Sequence, residues 1–116
     1  MTKVTPDTRG ITIAFGSFGL KATAGGRIRS NQIESARKVA SRTIGKTGRM
    51  WIRIFPDRPF TQKPAEVGKG NPEGYCLDIR PGRVLFEVDG VSEAIAKEAL
   101  RKAGTKLPVT TRIVAR

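Results

Sequence analysis

From Lys21 to Arg49 the chain sets eight basic side chains, Lys21, Arg27, Arg29, Arg37, Lys38, Arg42, Lys46 and Arg49, against a single acid, Glu34. Side chains of this kind, with so few counter-charges, suit the neutralisation of a polyanion by cations and N–H donors. A mixed, merely solubilising surface would intersperse both signs. The formal net charge is +12 over 116 residues, and the excess is uneven. Residues 1–58 carry twelve basic and three acidic side chains, whereas residues 59–116 carry ten and seven. The positive potential is therefore directed, which speeds encounter with phosphate backbones.

Other chemistries are poorly supplied. There is no histidine and only one cysteine, Cys76, which excludes imidazole ligation, an internal disulfide and a cysteine-rich zinc site. Cys76 falls in a strand pattern and reads as a packing residue rather than a nucleophile. Gly68-Lys69-Gly70 lacks the hydroxyl residue and the preceding glycine of a nucleotide cradle, so it reads either as a flexible turn or as a close approach to a nucleic-acid phosphate. Asp78, Glu87 and Asp89 read as a solvated strand face rather than as an acid–base pair. The chain is thus expected to hold no catalytic, cofactor-binding or metal site. With no long apolar run and no secretory segment at its start, it is expected to be a soluble intracellular protein without membrane contact.

The elements that must position the basic residues follow from periodicity. Ile11, Ile13 and Phe15 alternate as a half-buried strand, and Gly16 to Leu20 continues into a second, paired strand. After Gly25 and Gly26, Ser30 or Asn31 is placed to cap a helix running to about Thr47 and ended by Gly48. Ile33, Ala36, Val39, Ala40, Thr43 and Ile44 form its apolar stripe. Arg37, Lys38, Arg42 and Lys46 lie off that stripe, so the helix is apolar on one side and basic on the other.

Met50 to Phe55 predicts a strand with Met50, Ile52 and Ile54 on one face and Trp51, Arg53 and Phe55 on the other. That second face suits either stacking on bases or a second buried layer, of which burial of Trp51 is the favoured reading. Pro56, Pro59 and Pro64 then impose a long extended excursion with its tip near Gly68 to Gly70. Tyr75 to Arg80 and Arg83 to Asp89 predict a hairpin joined by Pro81 and Gly82. Ser92 caps a second helix that ends before Gly104 and buries Ile95, Ala99, Leu100 and Ala103; a last strand runs from Leu107 to Val114. The order describes one α+β domain over residues 11–116, two helices packed on a mainly antiparallel sheet, preceded by a mobile arm at residues 1–10.

Several motifs together carry a resemblance. GSFGLKA (Gly16 to Ala22), GRIRSNQIESAR (Gly26 to Arg37), RMWIRIFPDRPFTQKPAEV (Arg49 to Val67), PGRVLFEVDGV (Pro81 to Val91) and AGTKLPVTTRIV (Ala103 to Val114) occur in order. Over about residues 11–116 the chain resembles the family of bacterial large-subunit ribosomal protein sixteen, which includes protein ten of the archaeal and eukaryotic large subunit. The resemblance implies an α/β-hammerhead-like fold and a structural, non-enzymatic place in a ribosome of the cytoplasm or of an organelle. It implies binding to large-subunit ribosomal RNA, neighbouring ribosomal proteins and transfer RNA at the aminoacyl site, and a part in late subunit assembly.

On that reading Lys21, Arg27, Arg29, Arg37, Lys38, Arg42, Lys46 and Arg49 form the ribosomal-RNA surface, and Arg58, Lys63 and Lys69 face transfer RNA from the excursion. Two cationic extensions usual in the family are reduced. Only Lys3 and Arg9 precede the first strand, and the arginine-methionine-glycine-lysine run expected before Gly68 is missing. A free-standing RNA-binding or RNA-chaperone module would need the same charge and is the rival expectation.

Overall fold

The computed structural model describes residues 12–56, 58–60 and 74–116. Seven strands and two helices follow in the order β1 (Phe18–Ala22), β2 (Gly26–Arg29), α1 (Ser30–Ile44), β3 (Arg49–Ile52), β4 (Arg58–Phe60), β5 (Gly74–Ile79), β6 (Val84–Asp89), α2 (Glu93–Gly104) and β7 (Thr111–Ala115). They build two sheets, β3-β6-β1-β7 and β2-β5-β4, with every described pair antiparallel. The class is α+β, as expected.

Both helices bury most of the stripe their spacing predicts, Val39 and Thr43 of α1 being only half-buried. In α1 Ile33, Ala36, Ala40 and Ile44 are buried, and in α2 Ala96, Ala99, Leu100 and Ala103. The alanines allow the two helices to pack closely against one another. Leu20, Ala22, Phe86 and Val88 complete the core from the sheet side. Ser92 caps α2, its Oγ accepting the Ile95 N–H at 3.3 Å. At α1 the cap falls one residue earlier than expected: Arg29 is the N-cap, and its N–H donates to Gln32 Oε1 at 2.8 Å. The helix also ends earlier, because Gly45 takes a φ of 71° that side chains resist. Ile95 is 42% exposed, and Ala96 takes the buried position expected of it.

Three expectations about strands are corrected. Residues 12–17 form no strand but pass over the four-stranded sheet, where Ile13 packs on Gly19. Tyr75 to Ile79 and Val84 to Asp89 do not pair as a hairpin: β5 belongs to one sheet and β6 to the other. The reason lies in the turn. Arg83 N–H bonds Arg80 O at 3.3 Å, with Pro81 and Gly82 (φ 94°) between them, the arrangement of a type II turn. That turn splays its flanking strands instead of matching their twist. Gly82 N–H bonds Ala22 O instead, at 2.7 Å, so the turn ties the end of β1. Finally, the last strand starts at Thr111, and Leu107 and Val109 enter the core from the preceding loop.

Of the long excursion, the described part is β4, paired to β5 through Arg58 with Cys76, Pro59 with Tyr75 and Phe60 with Gly74. Pro59 is accommodated because β4 is an edge strand. The expected loop tip, with Lys63 and Lys69, and the arm at residues 1–10 lie outside the described residues.

Candidate nucleic-acid interface

The basic side of α1 is the complement of its buried stripe. Arg37, Lys38, Ser41, Arg42, Gly45 and Lys46 line one open groove along the outer face of the helix and the turn that follows it. Lys38 and Arg42 are four apart on the helix, one above the next, and Lys46 follows in the turn after Gly45. Among the described residues no carboxylate is paired with Arg42 or Lys46, and both are exposed. Cations left in this way on one helical face repel one another unless an anion or its counterions lie across them.

Acids lie beside Arg37, Arg27 and Arg49. Arg37 Nη2 lies 2.5 Å from Glu34 Oε2, and this hydrogen bond holds the Glu34 carboxyl below its usual range. Arg27 Nε lies 3.2 Å from Asp78 Oδ1 across the β2–β5 pair. Arg49 sits opposite Asp89 in β3–β6. Hydrogen bonds from the Ser17 hydroxyl and the Gly90 N–H, with the charges of Arg116 and Arg49 behind them, keep the Asp89 carboxyl below its ordinary value. Arg29 closes β2 where α1 begins, so Arg27 and Arg29 lead directly into the basic helix.

Lys21 is placed differently. It lies half-buried in β1, in the middle of the four-stranded sheet, and does not line the α1 groove. Its partner across β1–β7 is Arg112, a like charge directly opposite, an arrangement that costs stability unless something negative lies over it. Arg112 was not expected from the sequence, since only strand register reveals the pairing. Arg58 is in β4, and Lys63 and Lys69 lie outside the described residues.

Glu87 also departs from expectation. It is completely buried rather than part of a solvated face. Its carboxylate accepts the N–H groups of Ala14 at 3.0 Å, Phe15 at 2.7 Å and Gly16 at 2.7 Å, and it pairs with Arg53. Burial pushes its pKa up, but the backbone donors and Arg53 together outweigh burial and hold it below the ordinary value. Arg53 also donates to Thr12 O at 3.1 Å, and Arg116 to Gly16 O at 3.0 Å. Phe15 stacks on Trp51 with ring centres 5.9 Å apart, and the Arg53 guanidinium lies 5.5 Å from the Phe15 ring centre. The half-buried Trp51 is thus covered by the segment before β1, and its face is occupied within the chain. These carboxylates and cations organise structure.

Cys76 is buried, as a packing residue would be. Among the described residues no cluster of three or more His, Cys, Asp or Glu could hold a metal, and no helix is long and apolar enough to cross a membrane. The model of the family described as ribosomal protein L16p/L10e matches residues 1–114 of the chain.

Proposed function

The chain belongs to the ribosomal protein L16p/L10e family, a structural, non-enzymatic constituent of the large ribosomal subunit, and from that membership we propose that its basic helix face binds large-subunit ribosomal RNA. The observation that carries the reading is the groove of Arg37, Lys38, Arg42 and Lys46, exposed along one side of a helix whose other side is anchored in the core. Because α1 is held by Ile33, Ala36, Ala40 and Ile44, Arg37, Lys38 and Arg42 are presented by a rigid rod, with Lys46 in the turn just beyond it. Arg27 and Arg29 extend the surface along β2, Arg49 continues it into β3, and Lys21 adds a contact on the sheet.

Phosphates replace water and counterions around these side chains, and the release of counterions drives binding. Selectivity comes from the shape of the folded RNA and its 2′-hydroxyls, because the A-form major groove is too narrow for side chains to read. In this reading the excursion that bears Arg58, Lys63 and Lys69 faces transfer RNA near the aminoacyl site. Neighbouring ribosomal proteins complete the surroundings, and docking of the chain contributes to late subunit assembly.

Titration of the protein with large-subunit ribosomal RNA over a salt series tests this. Engagement of about six to eight phosphates gives a log–log slope of roughly −4 to −7; a slope near −1 overturns the broad surface. Stable recovery with large subunits after a moderate-salt wash supports the ribosomal assignment of the surface. Recovery on small or mixed RNAs alone would indicate a free-standing RNA-binding module. Cross-linking from Lys69 on assembled subunits tests the transfer-RNA contact.

A further inference from the structure

We propose that the RNA-binding surface does not end on α1 but crosses to the C-terminal end of α2, where Lys102 and Lys106 hold further phosphates of the same RNA. This rests on the RNA-binding reading above and names a subsite that the basic stretch of the sequence does not contain. A second open groove lies between the helices, lined by Val39, Arg42 and Thr43 from α1 and by Lys102, Thr105 and Lys106 from the end of α2 and the turn beyond it. Arg42 lines both grooves, so the two adjoin at its side chain.

The charge of the second groove favours an anionic ligand, because its charged groups are all cations. The two threonine hydroxyls donate to the backbone, Thr43 to Val39 O at 3.0 Å and Thr105 to Lys102 O at 2.6 Å, which leaves their oxygens able to accept from a ribose 2′-hydroxyl. Among the described residues the acid paired with a lining residue is Glu98, whose carboxylate is engaged by Arg101 at 2.9 Å and by Lys102 at 3.6 Å. Lys106 has no acid partner among the described residues and is exposed.

Two helix C-termini converge here, each worth about half a negative charge. Arg42, Lys102 and Lys106 supply three positive charges, enough to reverse that local sign. Val39 contributes an apolar wall against which a ribose can rest. A phosphodiester backbone fits these terms, with successive phosphates crossing from the α1 groove over Arg42 into the second.

The test compares the full chain with the double variant Lys102→Gln, Lys106→Gln, using protein-free large-subunit ribosomal RNA over a salt series. Loss of two contacts makes the slope shallower by about 1.4–1.8, so the loss of affinity grows by about 25- to 60-fold between 1 M and 0.1 M salt. Lys97→Gln, on the same helix but paired with Glu93 at 2.7 Å, serves as the charge control and leaves the slope nearly unchanged. Lys102→Arg with Lys106→Arg restores it, and far-ultraviolet circular dichroism verifies that each variant is folded. An unchanged slope in the double glutamine variant overturns the subsite, as does a loss no larger per charge than that of Lys97→Gln. A shallow slope in the unaltered chain instead overturns the RNA-binding reading itself, so the two failures are distinct.

Discussion

Glu87 Oε1 accepts the backbone N–H of Gly16 at 2.7 Å, joining two residues 71 positions apart in the buried centre of the sheet. The same carboxylate takes the N–H groups of Ala14 and Phe15 and the guanidinium of Arg53. One side chain therefore satisfies three successive backbone donors of a segment that joins the strands by backbone hydrogen bonds only at Ser17. Without it those donors would be left with the sheet surface beneath them, a cost of about 1–3 kcal/mol for each one buried and unpaired.

Replacing Glu87 with Ala should be among the most damaging single changes, lowering stability by about 3 kcal/mol or more, because it strands Arg53 as well as the backbone donors. Glu87→Gln keeps the shape but lacks the charge. Since the folded-state pKa of Glu87 lies below its unfolded value, its contribution is fully present above the unfolded value of about 4.3 and is lost as pH falls through the folded one. Thermal melts at a series of acidic pH values should therefore show a steeper decline for the unaltered chain than for Glu87→Gln, the two curves converging as acid is added. Parallel curves would show that Glu87 titrates alike in both states.

Gly16 supplies a second, purely steric test of the same contact. A Cβ there would lie 2.7 Å from Val88 O and 3.0 Å from Val88 N, both backbone atoms of a central strand that cannot yield. Gly16→Ala should push residues 12–17 off the sheet and cost about 1–3 kcal/mol. Trp51 is the only tryptophan of the chain and stacks under Phe15 within that segment, so its fluorescence reports the displacement directly. A red-shifted emission in Gly16→Ala under conditions where circular dichroism remains native is the expected result; an unshifted spectrum would show that the segment stays docked.

Much of the fold is legible in the sequence where the signal is local. The stripes of α1 and α2 recur within single helices, and the basic face follows as the remainder of α1 once Ile33, Ala36, Ala40 and Ile44 are turned inward. Glu87 was hidden because strand alternation assumes that one face meets water. Strand β6 has neighbours on both sides, and its second face is covered by a segment distant in sequence, which leaves Val84 to Val88 all buried. The Arg27–Asp78 pair and the Lys21–Arg112 opposition likewise depend on register between strands far apart along the chain. The Pro81-Gly82 turn did carry readable information: proline followed by glycine favours a type II turn, which separates strands more readily than it joins them in a hairpin.

Glu34, the lone acid of the basic stretch, should act as a brake on RNA binding. Its carboxylate grips the Arg37 guanidinium through both Nε and Nη2, at 3.2 and 2.5 Å, and holds the donors that a phosphate would otherwise receive. Glu34→Gln weakens that grip and removes a negative charge from the edge of the α1 groove. Arg37 is then released toward the ligand, and repulsion between Glu34 and the RNA backbone disappears. The pair is exposed, so the change should barely move the melting temperature. Affinity for large-subunit ribosomal RNA should rise several-fold, with the salt slope steeper by about 0.7–0.9 if Arg37 gains one full phosphate contact. Because the Arg37 hydrogen bond keeps the Glu34 carboxyl below its usual range, mild acidification should not reproduce the effect. Comparing the slopes of Glu34→Gln, Arg37→Gln, the double variant and the unaltered chain separates the outcomes: an increase that vanishes when Arg37 is also replaced identifies Arg37 as the released contact, whereas weaker binding in Glu34→Gln would mean that the ion pair itself is the shape the RNA recognises.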